Sequence, residues 1–118
     1  MLSRSPLQSL VVMNDPVYVE AARALGARTL REGGTLLREQ ITYAFRLVLG
    51  RPPRSEEIKV LEKTFREQRE HFANDKAAAE SLLSIGESPR PKDLDTVDLA
   101  AMTGVANVLL NLNETLTR

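Results

Sequence analysis

The segment from Val97 to Leu112 constrains the fold of this chain more than any other. Val97, Leu99, Met102, Val105, Ala106, Val108, Leu109, Leu110 and Leu112 put apolar side chains nearly all round a helix. A helix with so little polar face has to be enclosed by other helices or by lipid. Lipid does not fit, because no run approaches the roughly 20 apolar residues of a membrane-spanning helix. The sequence therefore predicts a central C-terminal helix with other helices packed round it, and no membrane insertion.

Breakers cut the rest of the chain into pieces of suitable length. Ser5-Pro6-Leu7-Gln8 starts a first piece that runs through Leu10, Val11, Val12 and Met13 to Asn14, with serine as cap and proline at the first helical position. Asp15-Pro16 restarts a helix, and Gly33-Gly34 ends it. On this second piece Tyr18, Ala21, Ala22, Leu25 and Thr29 are expected inward, with Glu20, Ala24, Ala27 and Arg31 opposite. Alanines on an inner face imply a closely approaching neighbour.

Thr35 is the expected cap of a third helix that turns Leu37, Ile41, Ala44, Phe45 and Val48 inward before Gly50-Arg51-Pro52-Pro53 stops it. Ser55 is the expected cap of a fourth, with Ile58, Leu61, Phe65 and Phe72 apolar and Glu56, Lys59, Glu62, Lys63 and Glu67 on a solvated face. Asn74 or Asp75 opens a short fifth helix, and the last begins near Asp95 or Thr96. Period-two alternation is nowhere sustained. The expectation is an all-α fold: a single domain, residues 1–118, built as an orthogonal bundle of about five to six helices around an apolar C-terminal helix.

Composition narrows the chemistry. A chain of 118 residues can bury a core without staples. It has no cysteine, which excludes disulfides, thiolate metal sites and thioether-linked haem within these residues. Sixteen Lys/Arg balance sixteen Asp/Glu, leaving no basic surplus to neutralise phosphates, so nucleic acid is not an expected partner. No metal or cofactor is expected either. Asp93, Asp95 and Asp98 crowd into six residues, but a calcium loop starting at Asp93 would need glycine and glutamate where Asp98 and Gly104 stand; helix capping and the helix dipole explain the acids. His71, the only histidine, has no partner set and is expected at the surface. Gly33-Gly34-Thr35 could offer free amides to an anion, though ending a helix is its ordinary use. No triad, phosphate loop or dinucleotide fingerprint is present. The polar feature that stands out is the stripe Thr103, Asn107, Asn111 and Glu114 on the greasy last helix. It serves either to satisfy backbone near Asn14-Asp15 or as a small polar pocket or docking face for another domain.

Four stretches together resemble a known family: Pro6-Leu7-Gln8-Ser9-Leu10 with Met13-Asn14-Asp15-Pro16; Glu20-Ala21-Ala22-Arg23-Ala24-Leu25; Ala44-Phe45-Arg46-Leu47-Val48-Leu49-Gly50-Arg51-Pro52-Pro53 with Glu56-Glu57; and Gly86-Glu87-Ser88-Pro89-Arg90 with Ala106-Asn107-Val108-Leu109-Leu110-Asn111-Leu112-Asn113-Glu114-Thr115. The pattern resembles the C-terminal part of the planctomycete domain-of-unknown-function family 1553. That resemblance implies a large exported parent whose upstream domains often include a cytochrome-like haem domain. It implies no catalytic residues here. The absence of haem-attachment cysteines would put any redox centre elsewhere, and Met102 stands where many members are expected to carry an aromatic.

The first reading is a non-catalytic helical packing or interaction module that closes a larger extracytoplasmic protein and has the parent's other domains as partners. The second is a wall of an enzyme or haem-protein active site whose catalytic residues lie on upstream domains. The third is a free-standing oligomerising bundle. Leu7, Leu10, Val11, Val12 and Met13 wrap more of a two-turn helix than one contact covers, so a homodimer through this first helix is expected.

Overall fold

The computed structural model describes residues 15–86, 89 and 91–116, so the expected helix from Pro6 to Met13 lies outside the described residues. Five helices, and no strand, are found among the residues described: α1 (Pro16–Glu32), α2 (Leu37–Leu49), α3 (Ser55–Asn74), α4 (Lys76–Leu83) and α5 (Thr96–Leu116).

Their starts follow local chemistry. The Asp15 carboxylate accepts the Val17 N–H at 3.0 Å, with Pro16 at the first turn. Asp75 ends α3 and caps α4, its carboxylate accepting the Ala78 N–H at 3.1 Å. Asp95 does the same for α5 through the Asp98 N–H at 2.9 Å. The two hydroxyl caps expected from the sequence need correcting. Leu36 and Arg54, not Thr35 and Ser55, occupy the cap positions of α2 and α3. In each case a glutamate three residues further on takes over the capping. Glu39 accepts the Thr35 and Leu36 N–H groups at 3.2 Å each, and Glu57 accepts the Arg54 N–H at 2.7 Å. A carboxylate gives free amides a charged acceptor, and the helix dipole favours it there. Gly50 closes α2 with φ 77°, a left-handed conformation that costs glycine little.

Every residue from 99 to 107 of α5 is buried, and the other four helices all pack against it. Ile41, Ala44, Phe45, Leu61 and Phe65 meet Ala101, Met102, Val105 and Leu109 on one side. Ala27, Phe72, Ala79 and Leu83 meet Leu99 and Ala100 on the other.

α1 runs antiparallel to α5, with Tyr18 beside Asn111 and Gly26 beside Met102 and Thr103. A Cβ on Gly26 would lie 3.1 Å from the Thr103 backbone nitrogen, so the missing side chain sets how closely the helices approach. The inward face of α1 is rotated from the one expected. Val19, Ala22, Arg23, Gly26, Ala27 and Thr29 are buried, whereas Ala21 is exposed. Ala27, expected on the outer face, and Arg23, expected on neither, are among the buried residues. The Arg23 guanidinium donates to the carbonyl oxygens of Leu83 and, at 3.2 Å, Ile85. The end of α4 thus supplies acceptors that make an arginine tolerable inside.

Candidate functional site

The polar stripe of α5 is split in depth. Thr103 and Asn107 are fully buried; Asn111 is half-buried and Glu114 exposed. The Thr103 hydroxyl turns back on its own helix and donates to the Leu99 carbonyl at 2.7 Å. Asn111 donates to the Asn107 carbonyl at 2.9 Å and accepts the Tyr18 hydroxyl at 3.4 Å. Burial, helped by the Glu114 carboxylate, holds the Tyr18 phenol above its ordinary pKa. The structure thus gathers Asn111 and Glu114 around Tyr18 and leaves Thr103 apart. Both polar atoms of the Asn107 side chain are buried without a hydrogen-bond partner among the described residues. Asn14, one suggested partner of the stripe, lies outside the described residues.

The three aspartates before and at the start of α5 go to separate tasks. Asp93 pairs with Arg31 at 2.5 and 3.0 Å, Asp95 caps α5, and Asp98 pairs with Arg69 at 2.7 Å. The Asp93 carboxyl is held below its ordinary pKa, first by the Arg31 hydrogen bonds. Among the described residues no group of three or more His, Cys, Asp or Glu is placed to hold a metal ion. The amides after Gly33-Gly34 already hold an anion, the protein's own Glu39. His71 is exposed, its ring edge against Phe72 with centroids 4.9 Å apart.

A second surface was not anticipated. An apolar groove of about 450 Å³ runs between α3 and α5. Phe45, Leu61 and Gly104 are its buried lining, and Val60 (62% exposed) and Leu112 (42% exposed) stand open to solvent along it. α3 contributes Glu56, Glu57, Val60, Thr64, Glu67 and Gln68, while α5 contributes Gly104, Val108 and Leu112. Arg51 lies outside this wall, 4.9 Å over the Phe45 ring, and grips Glu57 through two hydrogen bonds of 3.0 and 3.1 Å. That pairing, together with the Arg54 N–H, brings the Glu57 carboxyl down to about 2. None of the four stripe residues lines this groove. Val60 stands beside Leu61, with Lys59 and Glu62 flanking the pair, so the α3 apolar band is wider than Ile58, Leu61, Phe65 and Phe72 alone. That widening was the available signal in the sequence.

Among the described residues, no helix is long and apolar enough to cross a membrane. No curated protein and no solved structure matches the chain. The family model for PSD1, a protein of unknown function (DUF1553), matches residues 2–65, which take in α1, α2 and the first half of α3. The fourth of the resembling stretches lies beyond that match. On the matched majority of its length, the chain belongs to the DUF1553 family.

Proposed function

We propose that this chain is a non-catalytic helical module that packs against, and completes, a larger extracytoplasmic protein. In this reading residues 1–118 form one domain, an orthogonal bundle around the apolar α5, and its partners are the parent's other domains. The observation that carries the reading is the open groove between α3 and α5, where valine and leucine side chains stand in solvent beside a continuous core. Apolar surface gathered in one concave place is commonly a contact surface. The location outside the cytoplasm rests on the family resemblance. A homodimer through the piece from Leu7 to Met13 stays within the same reading. The stripe Thr103, Asn107, Asn111 and Glu114 serves docking within the domain, because its first half is buried and its second half meets Tyr18 of α1.

Hydrogen exchange of this chain alone, compared with the same residues in the natural full-length protein, tests the proposal. Slower exchange over at least one surface of the bundle in the full-length protein is expected. Identical exchange everywhere would mean that nothing packs on the module and would end this reading.

A further inference from the structure

We infer that the groove between α3 and α5 seats an amphipathic helix of about three turns carrying a Lys or Arg at each end of its apolar stripe. The inference rests on the packing-module reading and names the partner's chemistry. Three observations support it. First, both walls place lining residues at four-residue spacing: Glu56, Val60 and Thr64 on α3, and Gly104, Val108 and Leu112 on α5. Rows of this kind form ridges between which the i, i+4 ridge of a third helix fits. Gly104 marks the closed end of the groove, where the Gln68 side chain lies over it.

Second, the lining carries three carboxylates and no cation. Glu57 is engaged by Arg51, and Glu67 has only a loose 4.0 Å pair with Lys63. Glu56 is exposed and forms no ion pair among the described residues. Third, these carboxylates sit at two ends. Glu56 and Glu67 are eleven residues apart on one helix, a rise of about 16 Å. A partner helix laid along the groove meets acid at both ends and apolar surface between. Cations spaced about eleven residues apart, flanking leucine-like side chains, are the complement. Segments of this kind are read by helix-in-groove recognition through apolar anchors at i, i+4 and i+7.

The test is titration calorimetry of the chain with two synthetic eighteen-residue helical peptides that share one leucine stripe. One carries lysines eleven residues apart at its ends; the other carries glutamates there. The lysine peptide is expected to bind at least tenfold more tightly, with an advantage that shrinks in high salt. Glu67→Lys, on a well-exposed side chain, should narrow or invert the preference while circular dichroism shows an unchanged fold. Val60→Glu should weaken the lysine peptide at least tenfold. Equal binding of the two peptides, no binding of either, or displacement of neither peptide's preference by Glu67→Lys overturns the inference. So does uptake of a small apolar dye by a groove that takes no peptide. If full-length protein shows exchange protection on another face of the bundle while the peptides fail, the module reading stands and only this inference falls.

Discussion

The two sides of α5 that meet long helices are packed in opposite ways. Against α1 the contact is sealed: Gly26 brings the backbones together, and Thr103 and Asn107 are buried. Against α3 it is sealed near Gln68, whose side chain lies 3.2 Å from where a Gly104 Cβ would be, and near the Arg69–Asp98 pair. Beyond that point the walls diverge and leave Val60 and Leu112 in solvent. One helix thus supports a dry, over-determined contact and an unfinished one. The sealed side has small residues on the helix facing α5. On the open side, long side chains hold the contact at one end.

The comparison predicts a graded series of stabilities. Leu109→Ala, in the cluster behind both faces, should cost about 2–5 kcal/mol in urea unfolding. A loss below about 1 kcal/mol would show that the core is not where the two faces join. Gly26→Val should cost about 1–3 kcal/mol, because its Cβ meets backbone of α5 that cannot rotate away; a neutral result would mean the α1 contact is looser than described. Asn107→Leu should raise stability by about 1 kcal/mol or more, since it removes a buried amide that has no partner among the described residues, at similar volume. A comparable loss instead would reveal a partner for that amide. Val60→Thr on the open side should stay within about 0.5 kcal/mol.

The smallest effect belongs to Glu57. Its folded pKa of about 2 lies below the ordinary 4.5, so its pairing supports the fold fully above the ordinary value. That support fades as pH falls towards about 2. Glu57→Gln should remove this part of the acid dependence, and an NMR titration placing Glu57 near 4.5 would deny the Arg51 grip.

Much of the fold could be read from residues. Pro16, Gly33, Gly50 and Asp75 mark helix ends because proline, glycine and aspartate restrict or cap the backbone locally. The caps at Thr35 and Ser55 were misplaced because Glu39 and Glu57, reaching back three residues, outcompete a hydroxyl. The face of α1 was misjudged at Ala21 and Ala27, because alanine fits either face, and the burial of Arg23 was not foreseen because its acceptors lie sixty residues away. For the site, sequence spacing set Thr103, Asn107, Asn111 and Glu114 apart from their apolar neighbours. It could not say which of them would be covered. The groove was least legible, since it depends on how far apart two helices stand, and those helices are distant in the chain.

Arg23 also bears on how the domain becomes ordered. α4 has only eight residues, too few to persist as an isolated helix. Its start is held by Asp75, but the carbonyls of Leu83, its last residue, and of Ile85 are held by a guanidinium reached only through a sixty-residue closure. Such a contact forms late, after the entropy of closing that span has been overcome. α4 and the turn after it therefore depend on α1 for part of their hydrogen bonding: the carbonyls of Leu83 and Ile85 lose this donor when α1 lifts.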